Sequence, residues 1–372
     1  MEEARRAGRT LLDLITPNPS EHGLAFPHES LAEIAQWAMR HTESVRRYTP
    51  CPLGQRPARE AIADLYRRRG VEAQADHIAL TPGTSFGHLA TMRLLVEQGD
   101  ELLIPSPGYP LFDDIAAICG VRLRRYHLAE SDGRWRPDLE EIAFQCTERT
   151  RAIAVVSPHN PTGTVWSESD LGDLRRLCEQ RDLALIFDEV FCEFLTPPLE
   201  RLPRPVGFPL AITLNGLSKM LALPAWKIAW MRVEGEPGRR TGFLRALEHL
   251  IDTFLPMGEL QQAMIPAILE AGDPAVCRAL AEELNRRRQL AVDFLGSAAP
   301  PPQGGVHLCA PLPEGVDDEE FAIRLIRERG VAVHPGFYYE LPHHLTLTCI
   351  PRPEILREGI GEITAALRDP KS

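Results

Sequence analysis

The sequence predicts an α/β protein with a large domain built on a mainly parallel central sheet covered by helices, and a smaller α/β domain. Two observations lead to this prediction. Between about residues 77 and 235, short β-branched or apolar runs alternate with longer amphipathic stretches, as is typical of a parallel sheet covered on both faces. After residue 274 a long helical pattern and short mixed segments follow, which indicates a second layer.

Each element follows from its local pattern. The predicted strands of the large domain lie at 101–104, 152–156, 183–187, 211–214 and 228–233. An amphipathic helix is predicted at 168–181, and a long helix at 275–295, ending near Gly296 before the proline-rich break at 299–302. The C-terminal segments that form the smaller α/β layer are expected at 305–311, 319–329, 331–333, 345–349 and 354–367.

The N-terminal residues and the C-terminal layer are expected to share one domain. The first 45 or so residues contain little strand pattern, and we expect them to fold onto the C-terminal layer. The predicted division is a small domain of residues 1–46 and 275–372, and a large domain of residues 47–274. A chain of 372 residues is long enough for two such cores.

Composition and charge exclude several classes of function. The chain carries 41 basic and 52 acidic side chains, a formal net charge of −11 at pH 7, which argues against nucleic-acid binding. The arginine runs at 67–69 and 286–288 are interpreted as solvated helix faces. No apolar run approaches the roughly 18 residues of a membrane span, so we expect a cytoplasmic protein without a membrane partner. Eight scattered cysteines predict buried thiols rather than disulfides or a metal site.

Three polar residues stand where predicted strands end. Asn160 lies in Ser-Pro-His-Asn-Pro-Thr-Gly, Asp188 in Leu-Ile-Phe-Asp-Glu-Val, and Lys219 in Asn-Gly-Leu-Ser-Lys. Because ligands of parallel sheets bind at the carboxyl ends of the strands, we expect these side chains in one site. An amine that forms an imine, a carboxylate that keeps a pyridinium nitrogen protonated, and an amide that donates to a phenolate oxygen are what pyridoxal phosphate (PLP) requires.

On these residues the chain resembles the fold-type I PLP enzymes, and specifically the class I/II aminotransferases, over nearly its whole length. The sequences around Asp188 (Asp-Glu-Val-Phe) and Lys219 (Gly-Leu-Ser-Lys-Met) resemble a bacterial branch of alanine-type aminotransferases. The resemblance implies that Lys219 forms the aldimine with PLP, is displaced by the substrate amine, and then moves the Cα proton. It also implies that Asp188 lies under the pyridine nitrogen and that Asn160 donates to the phenolate oxygen.

The resemblance implies a phosphate site in the turn that contains Gly83, Thr84 and Ser85. This turn precedes a helix expected to begin near Phe86, and a helix N-terminus offers free amide groups to an anion. A simple helix cap is the alternative interpretation of the turn. Ser218 and Lys227 are also expected to bind the cofactor. Lys227 stands where most relatives carry an arginine, so it would bind phosphate as a point charge.

Two tyrosines complete the implied cofactor site. Tyr109, in Pro-Gly-Tyr-Pro, matches the aromatic residue that stacks on the pyridine face. Tyr48 matches the tyrosine that reaches the phosphate of a neighbouring chain. The resemblance therefore implies a homodimer with its active site at the interface. The pocket wall is expected to include His22, Leu24 and the adjacent residues Phe337, Tyr338 and Tyr339.

Two positions depart from the family pattern. Phe191 stands three residues after Asp188, where a tyrosine often donates to the phenolate oxygen. Thr346 stands where relatives usually carry the arginine that binds the substrate α-carboxylate, and a neutral threonine cannot pair with a carboxylate in that way. Either a nearby residue such as Arg352 or His344 replaces this arginine, or the amino donor is not an ordinary α-amino acid.

The resemblance implies a transaminase that moves an amino group from an amino-acid-like donor to a 2-oxo acid in a ping-pong cycle. The same electron-rich carbon also leads to β-elimination, decarboxylation or cyclisation, so a lyase, decarboxylase or cyclase is an alternative. A PLP-binding module without turnover is the alternative of another class. The sequence does not identify the donor or the acceptor.

Overall fold

The computed structural model describes residues 11–131, 134–295 and 301–368. Its strands, in chain order, are β1 (Leu12–Asp13), β2 (Ile78–Thr81), β3 (Glu101–Ser106), β4 (Arg122–Ser131), β5 (Arg134–Pro137), β6 (Thr150–Val156), β7 (Ala184–Asp188), β8 (Leu210–Gly216), β9 (Ala229–Gly235), β10 (His307–Pro311), β11 (Val331–Ala332), β12 (His334–Pro335) and β13 (His344–Thr348).

The α-helices, in chain order, are α1 (His28–His41), α2 (Arg56–Arg68), α3 (Thr84–Leu95), α4 (Leu111–Cys119), α5 (Leu139–Gln145), α6 (Glu168–Arg181), α7 (Leu217–Met220), α8 (Pro237–Phe254), α9 (Glu259–Gly272), α10 (Ala275–Leu295), α11 (Asp318–Arg324) and α12 (Pro353–Leu367). A π-helical turn, Leu325–Arg329, extends α11. The predicted end of α10 at Gly296 lies outside the described residues.

An eight-stranded sheet forms the centre of the fold, in the order β2-β9-β8-β7-β6-β3-β4-β5. The pairs β8–β7, β7–β6, β6–β3 and β3–β4 are parallel, whereas β9 is antiparallel to both of its neighbours and β5 is antiparallel to β4. The predicted α/β class with a mainly parallel sheet is confirmed. The carboxyl ends of β6, β7 and β8 therefore meet at one edge.

The sheet is buried on both faces because alternate residues of each strand enter different hydrophobic clusters. In β6, Ala154 and Val156 pack with helices α3, α4 and α8, whereas Ile153 and Val155 pack with α5 and α6. This two-residue alternation follows from the pleat of a strand. Burial of both faces explains why consecutive residues of these strands are apolar in the sequence.

A second sheet, β10-β13-β12, lies with α11, α12 and part of α10 around a separate hydrophobic cluster. The N-terminal strand β1 joins this layer through its parallel pairing with β11, and Leu12 and Leu14 enter its core. Helix α1 instead packs against α9, which also packs against α2, and Ala38 and Ile62 share one cluster. The division into domains of residues 1–46 with 275–372, and of 47–274, stays a prediction.

The interpretation of the arginine run at 286–288 as a solvated face is wrong for two of its members. Arg287 and Arg288 are buried. Arg287 donates to the backbone oxygen of Ile350, and Arg288 donates to that of Phe194 at 3.1 Å. These side chains satisfy carbonyl groups of neighbouring segments, which a pattern along one helix does not reveal.

Within the described residues, no helix combines the length and apolar character needed to cross a membrane.

Candidate active site

A cavity of about 630 Å³ opens at the edge where β6, β7 and β8 end. It brings together residues that are more than 130 positions apart in the chain. Ten of the site residues predicted from the sequence line it: Gly83, Thr84, Ser85, Tyr109, Asn160, Asp188, Phe191, Ser218, Lys219 and Lys227.

Lys219 lies on the short helix α7, immediately after β8, and its side chain is half-buried. Its Nζ donates a hydrogen bond of 2.6 Å to the backbone oxygen of Pro17, in the N-terminal segment. Burial lowers the pKa of Lys219 to about 8, and the positive charge of Lys227 adds to this effect. Because only the neutral amine is a nucleophile, a lowered pKa makes Lys219 reactive near neutral pH.

This pKa predicts a measurable pH dependence. In the apoenzyme, acylation of Lys219 by an amine reagent should follow a titration with a midpoint near pH 8. Below this pH the protonated amine is unreactive, and above it the rate reaches a plateau. Peptide mass spectrometry at each pH measures the labelled fraction. A midpoint near 10.5, the ordinary value for lysine, would contradict the predicted environment.

Asp188 is the last residue of β7 and is held by two hydrogen bonds. Its Oδ1 accepts from the backbone N–H of Val190 at 3.0 Å, and its Oδ2 lies 2.8 Å from Nε2 of the buried His88 on α3. Since a carboxylate can only accept, we infer that Nε2 of His88 carries the hydrogen. These contacts fix the direction in which the carboxylate points into the cavity.

His88 was missed by sequence reasoning. It lies one helical turn after Thr84, in an otherwise apolar part of α3, and also lines the cavity. A buried polar residue in that position was the available signal. Its partner, Asp188, is 100 residues away, so the sequence alone could not identify the contact.

The N-terminus of α3 faces the same cavity. Gly83 precedes the helix with a backbone φ of 117°, a conformation that residues with a Cβ rarely adopt. The 12-residue helix begins at Thr84, two residues earlier than expected. Its first amide groups have no partners within the helix and carry the positive end of the dipole. The turn, with Thr84, Ser85 and the exposed Lys227, can bind an anion.

Asn160 and Phe191 also border the cavity. The Asn160 side chain is buried, and its Oδ1 has no hydrogen-bond partner among the described residues. A buried polar atom without a partner costs free energy unless a ligand or water satisfies it. Phe191 is buried, and its ring meets that of His307 edge-on, with centroids 5.8 Å apart.

Four predicted site residues do not line this cavity. Tyr48 is 79% exposed. Arg352 is exposed at the start of α12, and His344 is half-buried near the ring of Trp135. Thr346 is fully buried in β13. Their predicted roles stay predictions. Of the expected wall residues, Tyr338 and Tyr339 line the cavity, whereas His22, Leu24 and Phe337 do not.

A buried carboxylate next to Asp188 links the elements that carry the site. Glu189 Oε1 accepts from Tyr66 Oη at 2.7 Å and from Asn215 Nδ2 at 3.0 Å, and Oε2 accepts from Arg204 Nε at 2.6 Å. Burial would raise the pKa of Glu189, but Arg204 and Arg232 hold it below its usual value. Sequence reasoning did not find this network.

Asn215 extends this network toward the lysine. Its Oδ1 accepts from the backbone N–H of Gly216 at 2.7 Å, at the end of β8. Helix α7, which carries Lys219, starts at the next residue. Glu189 therefore connects the end of β7 to the end of β8 by side-chain hydrogen bonds.

Comparison with known proteins identifies the family. The model of the family "Aminotransferase class I and II" matches residues 18–363. The chain belongs to the class I and II aminotransferase family. The resemblance predicted from the sequence is thereby confirmed, and this aminotransferase is an enzyme of a family that depends on PLP.

Several relatives resemble this aminotransferase over most of their length. Glutamate-pyruvate aminotransferase AlaA of Escherichia coli is 27% identical over 99% of this chain and 93% of its own. Arginine-pyruvate transaminase AruH of Pseudomonas aeruginosa is 31% identical over 83% and 80%, respectively. The aspartate aminotransferase of Thermus thermophilus, solved with maleate, is 27% identical with a TM-score of 0.86, covering 98% of this chain and 94% of its own.

Proposed function

We propose that this aminotransferase binds PLP in the cavity and transfers an amino group from an amino-acid donor to a 2-oxo acid, the two substrates occupying the same site in turn. The observation that carries the proposal is the convergence of the reactive amine of Lys219, the fixed carboxylate of Asp188 and the N-terminus of α3 on one cavity. Relatives that are named aminotransferases support it.

The residues that line the cavity are suited to bind each part of PLP. The phosphate would be held by the turn at Gly83, Thr84 and Ser85, with Ser218 and Lys227 beside it. Asn160, whose side chain is buried at the cavity, would donate from its Nδ2 to the phenolate oxygen, and Tyr109 would stack on the ring. When bound, PLP supplies an aldehyde for the amine and a ring that withdraws electrons from the bound amino compound.

The protein groups then have distinct tasks. Lys219 offers a neutral amine that would attach PLP, and its free amine would serve as the base that moves the proton of the donor Cα. Asp188 would keep a positive charge on the ring nitrogen, because a buried carboxylate favours a proton on a neighbouring base. His88 holds Asp188 in place by donating to its Oδ2. Phe191, which has no hydroxyl group, would offer the phenolate oxygen no hydrogen bond.

A two-step absorbance experiment tests this proposal. PLP-loaded enzyme is mixed with single amino acids, and then with 2-oxo acids, while the PLP spectrum is recorded. Transamination predicts that a donor converts PLP to its amino form and that a 2-oxo acid restores it. Release of ammonia without an acceptor would support a lyase instead, and no change with any donor would favour a binding module.

We further propose that the enzyme works as a homodimer in the cytoplasm. Tyr48 is exposed and does not reach the cavity of its own chain, which supports a role in the cavity of a second copy. The eight free thiols suit a reducing compartment.

The dimer proposal predicts a defect in Tyr48→Phe. Light scattering should find two chains per particle for the wild type. Loss of one hydrogen bond to a charged phosphate should weaken PLP binding by about 10-fold or more, measured by equilibrium dialysis, with the dimer intact. A monomeric wild type that binds PLP fully, or a Tyr48→Phe variant with unchanged affinity, would contradict the proposal.

A further inference from the structure

Four aromatic rings form one wall of the cavity beside Lys219. His307, His334, Tyr338 and Tyr339, called here the aromatic wall, all line the cavity. His334 and Tyr338 are stacked with an angle of 2° between their planes and 4.9 Å between centroids. Tyr339 meets both of these rings edge-on, at 5.6 and 5.4 Å, and lies 6.5 Å from His307. The wall is a continuous surface contributed by β10, β12 and the turn after β12.

Three members of the aromatic wall, His307, His334 and Tyr339, are uncharged at neutral pH. Burial lowers the pKa of His307 to about 3, with a further contribution from Lys219, and burial also lowers the pKa of His334. Burial raises the pKa of Tyr339. Among the described residues, the lysines that line the cavity are Lys219 and Lys227, and both have tasks in the proposed function. The side-chain carboxylate of a dicarboxylic donor would therefore lose its hydration in the cavity without gaining a cation as a partner.

Tyr338 has surface left for a ligand. Its ring is stacked on His334, yet 49% of the residue is exposed, and the residue lines the cavity. Planar rings attract one another in stacked or edge-on arrangements beyond the effect of their buried area. A planar apolar side chain of a donor could extend the existing stack without leaving a polar group unsatisfied.

We propose that the aromatic wall selects donors with an aromatic side chain, such as phenylalanine or tyrosine, over dicarboxylic donors. This inference rests on the proposed transaminase function. Aromatic donors gain contact with Tyr338 and His334, whereas glutamate and aspartate must bury a charge against neutral rings.

The PLP-loaded enzyme provides the test. Stopped-flow absorbance measures the second-order rate at which single donors convert PLP, so no acceptor is needed. We expect L-phenylalanine to react at least about 10-fold faster than L-glutamate, since an unpaired buried charge and a lost ring contact each disfavour the acid. A rate for L-glutamate equal to or above that of L-phenylalanine overturns the inference alone. No reaction with any donor overturns the proposed function and the inference with it.

Variants locate the effect. Tyr338→Ala should lower the second-order rate of L-phenylalanine about 10-fold and that of L-alanine less than about 2-fold, because only the larger donor reaches the aromatic wall. Phe337→Ala is the matched control, since Phe337 is the adjacent residue, is 48% exposed and does not line the cavity; it should change neither rate. Tyr338→Leu, which keeps an apolar side chain, should reproduce the loss if Tyr338→Ala misfolds. Equal slowing of both donors in the Tyr338 variants would overturn the inference.

Discussion

Lys219→Ala is expected to lower kcat for transamination by at least about 10³-fold, because it removes both the amine that attaches the cofactor and the base that moves the Cα proton. The variant should still bind PLP, since the proposed contacts of Asp188, Asn160 and the N-terminus of α3 remain. Single-turnover absorbance with a reactive donor measures the loss. PLP retention after gel filtration measures binding.

Lys227→Arg is the matched control. It keeps the positive charge that neighbours Lys219 and adds a planar group suited to phosphate. Its kcat should stay within about 10-fold of the wild type, since the variant changes an anion contact and no proton transfer. Comparable losses in the two variants would show that the loss is not specific to removing the amine of Lys219. Full activity in Lys219→Ala would contradict the proposed mechanism.

Glu189→Ala is expected to lower the free energy of unfolding by about 3–5 kcal/mol, because Arg204 would be left buried without its partner. Glu189 is fully buried and accepts from three side chains. The urea midpoint of the apoenzyme measures the change if the slope of the transition is unchanged. We also expect slower turnover, because Asn215 would lose the contact that ties the end of β8 to β7.

An exposed ion pair provides the stability control. Arg175 and Glu179 lie 3.0 Å apart on α6, with side chains 39% and 44% exposed. Glu179→Ala should cost less than about 1 kcal/mol, since water solvates both charges. Equal effects of the two variants would contradict the importance of the buried network.

The pH dependence of the unfolding free energy distinguishes the contribution of the Glu189 charge from that of its packing. The folded-state pKa of Glu189 is lowered below its ordinary value of 4.5, so the carboxylate stabilises the fold above that pH. Its contribution is lost as pH falls through the lowered value. The stability difference between wild type and Glu189→Ala should therefore shrink below pH 4.5. A difference that stays constant there would show that packing, and not charge, is responsible.

The sequence predicted that the polar residues at strand ends would lie close together. Asn160, Asp188 and Lys219 each follow an apolar run, and the rule that parallel strands place ligands at their carboxyl ends predicts that they meet. Their presence in one cavity is what that rule leads one to expect. Gly83 was predicted for a similar local reason, since a turn before a helix is visible in the sequence.

Contacts between distant segments could not be predicted in this way. Glu189 pairs with Tyr66, 123 residues away, and Lys219 donates to Pro17, 202 residues away. Neither contact leaves a periodic pattern in the chain. Strand β4 was also missed, because it carries several charged residues and lies near the edge of the sheet. Such strands lack the apolar run that reveals a central strand.

The proposed mechanism requires that Lys219 is the amine that attaches PLP. The chain contains three lysines, Lys219, Lys227 and Lys371, so covalent capture has few possible outcomes. The PLP-loaded enzyme is reduced with borohydride, digested and sequenced by tandem mass spectrometry. We expect one pyridoxyl group per chain, on Lys219, and none in Lys219→Ala. Labelling of Lys227 or Lys371 instead, or no stable label on the wild type, would contradict it.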